Sequence, residues 1–212
     1  MIRLTEQAEL IAEHLTLKCR CSTIEQLGRL LAAQSHDAQM ALPIVKRLAA
    51  LGMIRYSTTA VVLPEPMEPT FVWPSDRREL NFKTIAWKLE ERWITTPTRS
   101  TTVCWATEKA ARLFGGIAHF QQHGTQMEHD LGTASILVRL YETSPIQASQ
   151  WISEDILRRD HFHGRRSIRS IPDAALVENG CIIKWIEYGG QYRVRRLQRL
   201  HLHCRTLPYE LW

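Results

Sequence analysis

Residues 171–212 read IPDAALVENG-CIIKWIEYGG-QYRVRRLQRL-HLHCRTLPYE-LW, and the fold class turns on this stretch. Ile171, Ala174 and Leu176 alternate loosely with their neighbours, as a strand requires. Asn179-Gly180 is a two-residue hairpin signal, because both residues tolerate the positive φ that a tight β-turn needs. A second apolar run, Cys181 to Tyr188, is rich in β-branched and aromatic residues. Gly189-Gly190 ends it. From Gln191 to His203, Val194, Leu197, Leu200 and Leu202 recur at near-helical spacing. Leu207 to Trp212 is short enough for one more strand. The predicted order is strand, hairpin, strand, helix, strand. Asp173 falls in the first strand and Glu187 at the end of the second. Two carboxylates at the ends of paired strands are a geometry that can hold a divalent metal.

Pro172-Asp173, thirteen further residues and then Glu187 resemble the core of the PD-(D/E)xK, or restriction-endonuclease-like, superfamily. That pattern asks for Lys two residues after the second acid, where this chain has Gly189. Lys184 lies three residues before Glu187, so a regular strand points it to the opposite face. Gln191 or Arg193 could reach back. More widely the chain resembles the plasmid replication-relaxation and mobilisation accessory family. The likeness is carried by His129-Asp130-Leu131 opening a helix, then IPDA, WIEYGG and the closing LPYELW. The resemblance implies an N-terminal winged helix-turn-helix followed by a nuclease-like domain, and double-stranded DNA and other proteins of the same mobile element as partners.

The 212 residues have room for one large or two small domains, and 44% hydrophobic with 23% charged residues is ordinary for a globular protein. Apolar runs fall far short of a membrane span, and MIRLTEQAEL carries acids where a signal peptide needs an apolar core. A cytoplasmic location is the expectation. Five scattered cysteines with no CxxC pair indicate neither a disulfide framework nor a zinc ribbon. The net charge of +5 is too mild to announce nucleic acid by itself. Placement says more. Arg158, Arg159, Arg165, Arg166 and Arg169 form one cluster; Arg193, Arg195, Arg196, Arg199 and Arg205 form another. Arginine suits bidentate phosphate contacts, although two solvated faces would give the same composition.

Three N-terminal helices are predicted: Thr5 to Leu17, Thr23 to Ala33, and about Asp37 to Leu51, the last with Gly52 as C-cap. Pro43 must lie in the first turns or kink the third helix. Met53 to Leu63 reads as a β-wing. This order looks like a winged helix-turn-helix, whose third helix enters the major groove. His36, Gln39, Lys46 and Arg47 are then its candidates for DNA. Pro64, Pro66, Pro69 and Pro74 mark a linker over 64–75, which places domains at 1–63 and 76–212, with a nuclease-like core over 128–212. After it come a helix over Leu80 to Trp93, a strand over Thr101 to Ala106, a helix stopped by Gly115-Gly116, a helix from Glu128 to about Tyr141 and another over Trp151 to Arg159.

A nuclease reading needs two or three acids, a metal-held water and a cation for the developing phosphorane charge. Asp173 and Glu187 would be ligands, Glu128 or Glu154 the third acid, and Gln191 or Arg193 the relocated catalytic group. Mg2+ is the cofactor only if that site is active. His161-x-His163, His201-x-His203-Cys204 and His119 with His123 tempt a zinc reading, but no three of them converge from sequence, and surface or capping roles account for them. The expectation is therefore an α/β protein: a winged helix, then a degenerate nuclease-like domain that binds DNA without cleaving it. Arg165, Arg166, Arg193, Arg195, Arg196 and Arg199 join the third helix as DNA contacts. Two alternatives stay open: an active metal-dependent endonuclease, and a protein-interaction adaptor that binds no DNA. Winged helices often pair, so a homodimer is compatible with each.

Overall fold

The computed structural model describes residues 3–65, 67–74, 80–120, 124–160 and 171–212. Its helices are α1 (Glu6–Glu13), α2 (Ile24–Ala33), α3 (Ala41–Ala50), α4 (Phe82–Thr95), α5 (Glu108–Phe114), α6 (Thr125–Thr143), α7 (Pro145–Gln150), α8 (Glu154–Asp160) and α9 (Val194–Cys204). Its strands are β1 (Ser22–Thr23), β2 (Ile54–Val62), β3 (Phe71–Trp73), β4 (Thr98–Ala106), β5 (Trp151–Ser153), β6 (Ala174–Glu178), β7 (Cys181–Glu187) and β8 (Tyr209–Leu211). The mixed α/β class is as expected. Among the described residues, no helix is long and apolar enough to cross a membrane.

The chain forms two compact units, Met1–Val61 with Thr98–Ser149, and Val62–Pro97 with Gln150–Trp212. This division differs from the expected domains 1–63 and 76–212. Residues 98–149 belong with the N-terminal helices, and the 64–75 stretch contains a strand, β3. The reason is strand pairing. β4 lies between β1 and β2 in a three-stranded sheet, with Ser22 opposite Cys104 and Thr23 opposite Val103.

In the first unit, Thr5 caps α1, which runs on into one π-helical turn over His14–Lys18. Thr23 and Gln26 form a capping box at α2. Gln26 also donates from Nε2 to the Leu131 carbonyl at 2.8 Å and to Ser135 Oγ at 2.7 Å, tying α2 to α6. The third helix starts later than expected, at Ala41, because Asp37 caps a separate 3-10 turn over Ala38–Met40. Pro43 thereby falls in the first turn of α3, where no helical hydrogen bond needs its missing N–H. Gly52 follows α3 with φ +70, and its N–H donates to the Ala49 carbonyl at 2.8 Å, as a C-terminal glycine should. Ile11, Leu15, Leu27, Leu30, Leu31, Val45 and Leu48 fill the core, joined by Cys104 from β4 and Ala134 and Val138 from α6.

In the second unit the sheet order is β3-β8-β7-β6-β5. Neighbours are antiparallel except β7 and β8, which run parallel and are joined through α9. Asn179 and Gly180, with φ of +50 and +77, make the expected turn between β6 and β7. β3, flanked in sequence by Pro69 and Pro74, is an edge strand of this sheet. Residues 151–153, expected to open a helix, instead form β5, with Trp151 opposite Leu176. Ile85 and Leu89 of α4 and Leu197, Leu200 and Cys204 of α9 pack with Trp185, Tyr209 and Leu211 of the sheet.

Candidate nucleic-acid interface and carboxylate pair

β7 alternates, so Trp185, Glu187 and Gly189 share the face that meets α4 and α9, and Lys184 takes the other. Lys184 Nζ donates to Glu210 Oε1 on β8 at 2.6 Å, and Trp212 Nε1 donates to Glu210 Oε2 at 3.0 Å. Lys184 is therefore spent on its own face, as the spacing predicts.

Asp173 lies one residue before β6 rather than within it, and Glu187 is the last residue of β7. Each acid holds the other's strand. The Tyr188 N–H donates to Asp173 Oδ2 at 2.8 Å, and the Asp173 N–H donates to Glu187 Oε2 at 3.3 Å. The Tyr192 hydroxyl donates to Glu187 Oε1 at 2.6 Å. Glu187 is buried, so these donors offset part of the cost of desolvating its charge. Burial, with the Glu187 and Asp173 carboxylates beside it, pushes the Tyr192 phenol well above its ordinary range and keeps it a donor.

An active nuclease would need Gln191 or Arg193 to reach back as the relocated catalytic group. Among the described residues, the cationic side chain beside Glu187 is Arg196, whose Nη2 donates to the Tyr192 hydroxyl at 2.9 Å and lies 3.9 Å from Glu187 Oε1. Gln191 and Arg193 are exposed. Tyr192 was missed by sequence reasoning. The available signal was an aromatic residue with a hydroxyl, placed just past the Gly-Gly bend and one helical turn before an arginine.

Gly189, at the position where the resembled motif has lysine, has no space for a side chain. A Cβ there would lie 2.5 Å from Leu89 Cδ2 and 3.0 Å from the Trp212 carbonyl oxygen. Its N–H donates to that oxygen at 2.7 Å, and its carbonyl accepts from Arg92 Nη2 at 2.6 Å and Trp93 Nε1 at 3.3 Å. α4 seals the position.

Of the two candidate third acids, Glu154 has its backbone N–H on the Asp173 carbonyl at 2.8 Å, but its Oε1 accepts two hydrogen bonds from Arg158. Glu128 is on α6, in the first unit. Among the described residues, no three His, Cys, Asp or Glu side chains are arranged to hold a metal. His201 Nδ1 is 3.0 Å from the Tyr209 hydroxyl and its ring packs edge-on against Trp73, a structural setting. His123, His161 and His163 lie outside the described residues.

The basic clusters differ. Arg158 pairs with Glu154 and Arg159 with Asp160, so those charges are locally spent. Arg165, Arg166 and Arg169 lie outside the described residues. On α9, Arg195, Arg196 and Arg199 are exposed, as is Arg193 at its N-cap, while Leu197, Leu200 and Cys204 are buried. Residues 189–208 contain no acid. Among the described residues, Arg193, Arg195 and Arg199 have no carboxylate partner. In the first unit, Gln39, Lys46 and Arg47 are exposed and His36 is half-buried in the turn before α3. Met40 and Leu42 are exposed beside them.

Asp130, within the His129-Asp130-Leu131 likeness, is buried. Its Oδ1 accepts from Arg20 at 3.3 Å and Gln126 at 2.8 Å, and burial raises its carboxyl pKa. Its long-range partner Arg20 gave no signal in the sequence.

Comparison of the chain with protein-family models, with curated proteins and with solved structures finds no match.

Proposed function

We propose that this protein binds duplex DNA, with a winged helix-turn-helix as its first unit and a nuclease-like second unit that does not cleave. The observation that carries the reading is the solvent face of α9. Arg193, Arg195, Arg196 and Arg199 gather there on an acid-free stretch, whereas Arg29, Arg139, Arg158 and Arg159 elsewhere sit on nearby carboxylates. Among the described residues Arg193, Arg195 and Arg199 have no carboxylate partner, and Arg196, beside Glu187, is still exposed; such guanidinium groups suit the phosphate backbone. Lys46, Arg47 and Gln39 on and before α3 supply a second face that would read base edges in a major groove. The closed position at Gly189 supports the absence of cleavage. No group stands there to stabilise the transition-state charge, and one such group is worth on the order of 10²–10³ in rate. A role in a plasmid or other mobile element rests on the sequence resemblance alone.

A second reading is favoured by Met40 and Leu42, two large apolar side chains exposed beside Lys46. They suit a protein partner for α3, in which case the first unit is an adaptor.

The test is fluorescence anisotropy on a labelled duplex across a salt series. The wild type is expected to bind with a steep salt slope. Arg195→Ala with Arg199→Ala should flatten the slope by about 2 and weaken all sequences alike. Lys46→Ala with Arg47→Ala should also weaken binding; no change would favour the adaptor reading for the first unit. An unchanged slope in the double-arginine variant would remove the α9 face from the proposal. Nicking of supercoiled plasmid in Mg2+ or Mn2+ that disappears in Asp173→Ala would overturn the inactive reading.

A further inference from the structure

Tyr192 and Arg196 connect the carboxylate pair to the arginine face. From Glu187 Oε1 the contacts run to the Tyr192 hydroxyl at 2.6 Å and on to Arg196 Nη2 at 2.9 Å. The Arg196 guanidinium also lies over the Tyr192 ring, its carbon 4.0 Å from the centroid. One edge of the guanidinium is thus bound and one face stacked. Yet the Arg196 side chain is 63% exposed against 9% for Glu187. The carboxylate is inside and the guanidinium is what solvent meets. A guanidinium has five N–H donors in a fixed fork, so most remain to be offered outward. Arg199 lies three residues on, on the same stripe of the helix, and Arg193 is the N-cap residue before it.

An arginine on an exposed helix normally loses rotamer freedom when it grips a phosphate. Here the stacking and the phenol have already fixed its plane. The acids are equally committed: Glu187 accepts at both oxygens and Asp173 at Oδ2, all from this chain's own donors.

We propose that the Asp173–Glu187 pair is the seat of an arginine and not of a divalent metal: Glu187, through the Tyr192 hydroxyl, holds the Arg196 guanidinium as a pre-oriented contact for a nucleic-acid phosphate. Glu187 and Tyr192 are positioning residues and Arg196 makes the contact. This rests on the reading of α9 as a DNA-binding face.

Four variants test it on the full chain by anisotropy across a salt series with labelled duplex DNA, and Mn2+ with a fifth, Glu187→Gln, tests it by thermal melting. Arg196→Ala removes a phosphate contact, so the slope should flatten by about 1. Tyr192→Phe keeps the ring and the arginine but frees the guanidinium edge. Affinity should fall about 2- to 10-fold, the cost of ordering one side chain, with the slope unchanged. Arg196→Lys, whose folding is checked by its melting temperature, keeps the charge and loses the fork. It should behave like Tyr192→Phe. The pair Arg195→Ala with Arg199→Ala is the control for the α9 face itself. If that control loses slope while Arg196→Ala matches the wild type, the inference fails and the face stands. If neither loses slope, the face itself is wrong. Arg196→Lys binding as tightly as the wild type would overturn the positioning role. Mn2+ should leave the wild-type melting temperature unchanged. A rise in Tm that vanishes in Glu187→Gln would make the pair a metal site and overturn the proposal.

Discussion

At the scale of single residues, the position that a motif would fill with lysine is decided by packing. Gly189 is glycine because Leu89 and the Trp212 carbonyl occupy the volume its Cβ would take. Gly189→Ala is therefore expected to lower stability by about 1–3 kcal/mol, the usual cost of an extra group forced into a packed site. Gly189→Lys should lower it further and yield no nuclease. Urea unfolding measures both; a neutral Gly189→Ala would mean that α4 yields readily and the position is open. His14 makes a second prediction, for the first unit. It is fully buried, with Nε2 3.0 Å from Ser22 Oγ and Nδ1 without a partner among the described residues. Burial, with Lys18 nearby, lowers its pKa from 6.5 to about 3. The unfolded chain then takes up a proton that the folded one refuses. Stability from this group is complete above pH 6.5 and falls as the pH drops toward 3. The slope is about 1.4 kcal/mol per pH unit, so acidification to about pH 5 should cost roughly 2 kcal/mol. His14→Gln should abolish that component, and an undiminished acid loss in His14→Gln would assign it to other groups.

At the scale of elements, α9 divides its labour between two faces; the helical period of Leu197 and Leu200 made the inner face legible, but Leu202, read with them, is exposed and Cys204 is buried in its stead. Leu200→Ala should cost about 2–5 kcal/mol, as a buried leucine does, while Arg195→Ala with Arg199→Ala should change stability by no more than about 0.5 kcal/mol per site. Thermal or urea unfolding separates the faces; a large loss in the arginine pair would make that face structural and weaken its case as a ligand surface. The hairpin at Asn179-Gly180 and the cap at Gly52 were equally legible, since each needs a positive φ that few residues accept. β5 was not. Trp151 to Ser153 carries helix-compatible residues, and only pairing with β6 makes a strand of them. The carboxylate pair was legible as two acids at strand ends. Its closure was not, because Tyr192 reaches Glu187 only once the Gly-Gly bend has turned the chain into α9, and no local pattern encodes that turn's direction.

At the scale of the whole chain, the division into units was the least legible feature. A run of prolines reads as a linker crossed once, whereas the chain leaves the first unit at Val61 and re-enters it at Thr98. Re-entry depends on β4 finding β1 and β2, a pairing between residues some eighty positions apart, as at Ser22 and Cys104. Periodicity has no access to partners at that separation. The consequence can be tested on fragments. A fragment ending at residue 63 keeps α1, α2 and α3 but loses the central strand of its sheet. It also loses Cys104, Ala106, Ala110, Ala134 and Val138 from its core, together with the α6 groups that satisfy Gln26 Nε2. Such a short piece stands near the lower limit for independent folding even with an intact core, so it has little margin. It is expected to lack a cooperative thermal transition by circular dichroism. Adding residues 98–149 as a separate polypeptide should restore one, since β4 and α6 supply what is missing. A fragment 1–63 that melts cooperatively alone would show that three helices and β2 suffice, and would return the boundary to the proline run.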